Sequence, residues 1–177
     1  MCAIQIEPTV RTDRLALRKA LFSDAPRVAE LANDLDVARM TTRIPHPYEL
    51  ADAEAFLARA RDQDPGEAAT FAIEHPDEAV VGLQGLFANE DGRPELGYWL
   101  GRPYWGRGYA TEAAEGALMW ASESWGRRYV VAGHFADNPA SGQVLCKAGF
   151  LYTGEVKLMP SLGRSEEAPA RMMVWLA

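Results

Sequence analysis

The sequence is poor in the residues that mark several common protein classes. Only two cysteines occur, Cys2 and Cys146, too few for a disulfide framework or a cysteine-rich zinc site. A reducing cytoplasm fits that usage, and no metal is expected. The N-terminal stretch "MCAIQIEPTVRTDR" lacks the apolar core of a secretory leader, and no apolar run is long enough to span a bilayer, so neither export nor membrane insertion has support. Basic residues are outnumbered, 18 Lys and Arg against 25 Asp and Glu, and the formal charge of -7 argues against a nucleic-acid partner. Repeats, low-complexity tracts and long linkers are also missing, so the 177 residues read as one domain, 1–177.

What is present is an ordinary globular balance, 48% apolar and 24% charged, which is enough to build a packed core. "RLALRKA" (14–20) alternates as a half-buried strand. "SDAPRVAELANDLDVARM" reads as one helix with Ser23 or Asp24 as N-cap, Pro26 in the first turn and Val28, Leu31 and Leu35 on one stripe. "ELADAEAFLARARDQ" is a second helix, although Glu49 is a poor cap, and "TTRIPHPY" between them is a loop. Three strands follow, "TFAIEH", "AVVGLQGLFA" and "RPELGYWLG", then a helix from Tyr109 with an alanine-rich face. "RRYVVAGHF" is a strand, and "NPASGQVLCKAGF" carries a full helix grammar from Asn138 as N-cap to Gly149 beyond the end. Two strands close the chain. The order β-α-α-β-β-β-α-β-α-β-β describes an α/β (α+β) fold with helices on a sheet.

One stretch carries chemistry. In "YWGRGYATEA" (104–113) a strand passes into a helix through Gly106 and Gly108. Helix N-termini expose unpaired N–H groups and about half a positive charge, so small residues there admit an anion, and Arg107 adds a mobile cation. The bland alternative is a turn that only redirects the chain. Neither G-x-x-x-x-G-K-[ST] nor the three-glycine dinucleotide fingerprint is present, which makes nucleoside triphosphates and NAD poor fits. Gly97, inside the preceding strand, marks either a bulge that bends the sheet or the close approach of a ligand.

"ELGYWLGRPYWGRGYATEA" followed by "NPASGQVLCKAGF" resembles the GNAT superfamily of acetyl-CoA-dependent N-acetyltransferases, and within it the RimJ/RimL branch that acetylates ribosomal-protein N-termini. The likeness extends more thinly to "TDRLALRKA" and "PHPYELADAEAFL". It implies a mixed, mostly antiparallel sheet, splayed at a bulged central strand and covered by helices on both faces. The family's phosphate motif falls on Trp105, Gly106, Arg107, Gly108, Tyr109 and Ala110, with Trp in place of Gln or Arg at its first position. The resemblance implies that N–H groups from Arg107 to Thr111 hold the CoA pyrophosphate. It also implies that backbone groups of Tyr98, Trp99 and Leu100 bond the pantetheine arm and that Asn138 lies beside it.

The same resemblance places acetyl transfer from acetyl-CoA to a primary amine in a ternary complex, with no covalent enzyme intermediate. Glu95 is the expected base, its alternative being a solvated strand-end carboxylate. Ser141 is placed to protonate or solvate the thiolate, its alternative being a first-turn helix hydroxyl. His134 reads as a satisfied core residue and Cys146 as a small core hydrophobe. Leu145 stands where many members carry an acidic Tyr, which leaves open a non-catalytic CoA-binding or scaffold protein; a nucleotide-binding regulator is a third reading. Arg43, His46 and Tyr48 are expected to line the acceptor side. The acceptor is a protein N-terminal amine or a small-molecule amine, and the assembly a monomer or homodimer.

Overall fold

The computed structural model describes residues 9–64 and 66–177; Cys2 lies outside them. Eight strands form one sheet in the order β1-β2-β3-β4-β5-β6-β8-β7. They are β1 (Val10–Arg11), β2 (Ala16–Lys19), β3 (Ala68–His75), β4 (Ala79–Ala88), β5 (Pro94–Leu100), β6 (Tyr129–Phe135), β7 (Leu151–Ser161) and β8 (Glu166–Leu176). All neighbours run antiparallel except β5 and β6. Five helices cover it: α1 (Ala25–Ala32), α2 (Leu35–Ala38), α3 (Leu50–Arg61), α4 (Tyr109–Glu123) and α5 (Pro139–Lys147). None of them is long and apolar enough to cross a membrane, among the described residues.

The expected element order holds, with a short β1 added and the first helix broken in two. Asn33 leaves helical geometry at the end of α1, and the Asp34 carboxylate then accepts the N–H of Asp36 at 2.8 Å, starting α2 afresh. Asp24 occupies the N-cap position of α1 without capping it, because its carboxylate is held by two 2.9 Å bonds from Arg18. The cap missing at Glu49 is supplied from within α3, where Asp52 accepts the Glu49 N–H at 2.8 Å.

Strand alternation splits the core into two layers. Phe71, Ile73, Val81, Leu86 and Leu96 pack beneath α4 and α5, whereas Ala72, Val80 and Leu83 pack beneath α1, α2 and α3. Helix α4 lies close because Ala113, Ala114, Ala117 and Ala121 are fully buried. Gly116 completes that face: a Cβ there would stand 2.9 Å from the Thr12 methyl carbon.

The start of α4 is tied to the N-terminal segment by Glu112. Its carboxylate accepts from the Thr12 hydroxyl at 2.6 Å, from the Arg14 N–H at 2.7 Å and from Arg14 Nε at 2.7 Å. Desolvation pushes the Glu112 pKa up, but these bonds and the Arg14 charge outweigh it and hold the group below its usual 4.5. A depressed carboxylate stabilises the fold above its unfolded pKa and loses that contribution as pH falls through the folded value. Arg14 is 47% exposed, so water screens the pair and about 1 kcal/mol is its ceiling. Glu112→Gln is therefore expected to lower Tm by about 2–4 °C at neutral pH. Thermal scans should show that gap close as pH falls from the ordinary 4.5 through the lowered Glu112 pKa.

Candidate active site

Strands β5 and β6 touch at one register position, Glu95↔Val131, and then part. On its other side β5 stays paired with β4 from Ala88↔Pro94 to Gly82↔Leu100, with Gly97 opposite Gly85 and no shift of register. The bulge expected at Gly97 is therefore absent from this ladder, and the strands fork without it. Beyond Glu95, the β5 backbone groups that point toward β6 have no strand to bond, which leaves a slot for an extended ligand. The fork opens at the C-terminal ends of two parallel strands, where open sheets bind ligands. Helix α4 begins after β5 and α5 after β6, so two helix N-termini flank the opening.

At the first of these, Gly106 has φ +73 and Gly108, the N-cap of α4, has φ +81, conformations that favour glycine. A Cβ on Gly106 would meet nothing within 4 Å, and no side chain caps α4 among the described residues. Arg107 lies 3.4 Å from Glu78. Arg14, which no sequence signal singled out, donates to the Arg107 carbonyl at 3.0 Å and stacks 4.8 Å from the Tyr109 ring centre. Two cations thus border an open helix start. Trp105 has a different task from that of a phosphate ligand: its indole N–H donates to the Leu100 carbonyl at 2.8 Å. That bond braces the corner between β5 and the turn, and it occupies the Leu100 carbonyl expected to face pantetheine.

At the second N-terminus the Asn138 side chain accepts the Ser141 N–H at 3.2 Å, the expected cap. Ser141 Oγ is 2.8 Å from the Tyr98 hydroxyl, a pairing across 43 residues that local pattern does not reveal. His134 is buried and satisfied, Nδ1 against the Phe135 carbonyl at 2.9 Å and Nε2 against the Tyr152 hydroxyl at 3.0 Å. Leu145 is fully buried core. Cys146, expected in the core, is exposed instead and lines a separate 540 Å³ depression between α5 and the β7–β8 hairpin.

A cleft of about 760 Å³ passes through the fork to the α3 side of the sheet, where Glu95, Tyr98, Trp99 and Ser141 share its wall with Arg43 and Tyr48. His46 is exposed and is not on that wall. Burial raises the Glu95 pKa above 4.5; the 3.1 Å bond from Asn89 and the charges of Arg43 and Lys157 oppose the rise without cancelling it. Burial also pushes the Tyr48 hydroxyl up to about 12, so it stays neutral. The loop that carries Arg43 is held by the β7–β8 turn. Ser161 donates to the Thr41 carbonyl at 2.9 Å, and Arg164 donates to the Arg39 carbonyl at 2.6 Å while gripping Asp137 by two 2.8 Å bonds. Arg164 thereby links the loop that carries Arg43 to the residue just before Asn138. Among the described residues no group of His, Cys, Asp and Glu is arranged to hold a metal ion.

Comparison with known proteins agrees with this geometry. The chain is 30% identical over 151 residues to an uncharacterized N-acetyltransferase, p20, of Bacillus licheniformis, covering 82% of this chain and 84% of that one. Its fold matches RimJ of Mycobacterium smegmatis, solved in complex with a CoA-disulfide, with a TM-score of 0.85 at 18% identity over 97% of this chain and 88% of that one. It also matches RimL, a ribosomal L7/L12 alpha-N-protein acetyltransferase solved with coenzyme A, with a TM-score of 0.83 at 18% identity over 96% and 98%. At such identities the two structures bear on the fold alone. A model of the acetyltransferase (GNAT) domain matches residues 14–151, a span that takes in the glycine turn, the fork and the Asn138 cap together, and the chain accordingly belongs to the GNAT family of acetyltransferases.

Proposed function

We propose that the protein binds acetyl-CoA in the fork and transfers its acetyl group to a primary amine by direct attack within a ternary complex. The observation that carries this reading is the cleft at the fork, with Glu95 and Ser141 both on its wall. Gly106 and Gly108 leave the first turn of α4 open for a pyrophosphate, with Arg14 and Arg107 beside it. Main-chain groups of Tyr98 and Trp99 take the pantetheine arm as an added strand, and an N–H of this segment polarises the acetyl carbonyl. Glu95 receives the proton shed by the attacking amine.

The acceptor enters from the α3 side, past Arg43 and Tyr48. Asp52 and Glu95 on that wall are balanced by Arg43 and Arg59, a mixture suited to one amine on a polar peptide-like frame more than to a polycation. A peptide N-terminus is the acceptor of this kind, as the name of RimL describes for that protein. Burial of Leu145 does not favour the scaffold alternative, because in this reading the Ser141 hydroxyl, and no side chain at position 145, receives the leaving thiolate.

Release of free CoA thiol should exceed background with peptide N-termini and exceed that with lysine peptides, aminoglycosides or polyamines. Acetyl-CoA at a hundred times its Kd should stabilise the fold by about 2.7 kcal/mol while ATP and NADH do not. Binding without turnover on any amine would point to the scaffold, and stabilisation by ATP alone would sink the acetyl-CoA assignment. The base must be deprotonated to act, so kcat/KM should rise with pH along a limb displaced above 4.5, in the direction of the raised Glu95 pKa. Glu95→Gln should remove that limb and lower kcat by on the order of 10²-fold. An unaltered profile in the variant would show that another group is the base.

A further inference from the structure

The acetyl-transfer reading uses only the backbone of Tyr98, yet its side chain crosses the fork from β5 to α5. The hydroxyl stands 2.8 Å from Ser141 Oγ and 3.3 Å from the Ser141 carbonyl oxygen. With strand pairing ended at Glu95↔Val131, this contact ties β5 to α5, the helix that follows β6. A phenol has one proton, so Tyr98 donates to one of those oxygens at a time. The carbonyl lies in the first turn of α5, where the helix already uses it as an acceptor, and the shorter contact has the ordinary length of an O–H···O bond.

Direction matters here. If Ser141 donates to Tyr98, the serine proton is locked on the phenol; if Tyr98 donates to Ser141 Oγ, the serine proton is free to turn into the fork. Desolvation pushes the Tyr98 pKa up to about 12 against the pull of the Ser141 bond, which keeps the phenol protonated. The Asn138 cap fixes the Ser141 main chain from the other side at 3.2 Å.

We infer that Tyr98 is a positioning residue for the leaving group: its phenol donates to Ser141 Oγ and so aims the serine proton at the sulfur of bound CoA. As the C–N bond forms, the C–S bond breaks with its electron pair left on sulfur. Ser141 gives the thiolate a hydrogen bond and keeps its own proton; the thiolate then takes a proton from solvent, and the proton of the amine leaves through Glu95. The inference rests on the acetyl-transfer reading and extends it to the reception of the thiolate.

The test is the ionisation of CoA thiol bound to the protein, followed by the ultraviolet absorbance of the thiolate. A hydrogen bond given to sulfur favours the charged form. Bound thiol in the unmodified protein should therefore ionise at lower pH than free CoA. Tyr98→Phe and Ser141→Ala should each move it back up by about one unit, a tenfold change in the ionisation constant. Tyr98→Phe should add nothing in the Ser141→Ala background. Fluorotyrosine at position 98, a stronger donor of the same shape, should move ionisation further down and tests the idea even if the Phe variant folds poorly. With an active acceptor, kcat of Tyr98→Phe should fall on the order of tenfold with KM for acetyl-CoA unchanged. Equal thiol ionisation in the unmodified and Phe proteins, or additive effects in the double variant, overturns the proposal alone. Failure of CoA to bind the unmodified protein overturns the acetyl-CoA reading and this inference with it.

Discussion

The parting of β5 from β6 is the constraint on which the rest depends. Parallel strands need a crossover, and here α4 supplies it, running on the alanine and glycine face that lets it lie close to the sheet. A continuous β5–β6 ladder would bury the main-chain groups that a pantetheine arm needs, and it would close the passage between the two faces. With the ladder ended at Glu95↔Val131 the sheet stays open beside β5, as the proposed ternary complex requires. The fork therefore substitutes for a pocket dug into a closed surface.

An opening in a sheet has to be held at a fixed width, and the chain does so with contacts distant in sequence. Trp105 pins the end of β5 through the Leu100 carbonyl, and Glu112 pins the start of α4 to Thr12 and Arg14. On the other arm Arg164 joins Arg39, Asp137 and the face of Phe135, whose ring centre lies 4.8 Å from the guanidinium. Its side chain is only 12% exposed and makes charge-assisted bonds, so this hub is stronger than a solvated ion pair. Such pinning holds the edges of the fork in place before a ligand arrives, which is the condition for electrostatic preorganisation in the proposed reaction.

Most of the fold was legible because its signals are local. The α5 cap is written in Asn138 and Pro139, and the α4 face in its alanine spacing. The break at Asn33 escaped the helical stripe because the stripe continues through Leu35, while Asp34 turns the backbone to cap Asp36. Of the two readings of Gly97 the bulge fails, since Gly97 lies opposite Gly85 in an unbroken ladder, while Gly97 does lie on the cleft wall, where a ligand could come close. At the site, the glycine turn and Glu95 could be found from motif and position. Arg14 and the Tyr98–Ser141 pair could not, since their partners lie 93 and 43 residues away and no periodicity connects them.

The place where the fork begins is also the place of Glu95, the base in the proposed reaction. Glu95 sits at the one register position where β5 pairs with both neighbours, Val131 of β6 and Phe87 of β4. Burial raises its pKa, and the Asn89 bond with the Arg43 and Lys157 charges limits the rise. Two residues further along β5, Gly97 is half-buried on the same cleft wall, where pairing with β6 has already ended. Two residues earlier, Arg93 lies in the exposed turn before the strand. The point where the strands part thus coincides with a half-buried carboxylate whose pKa is raised, a combination that marks functional sites.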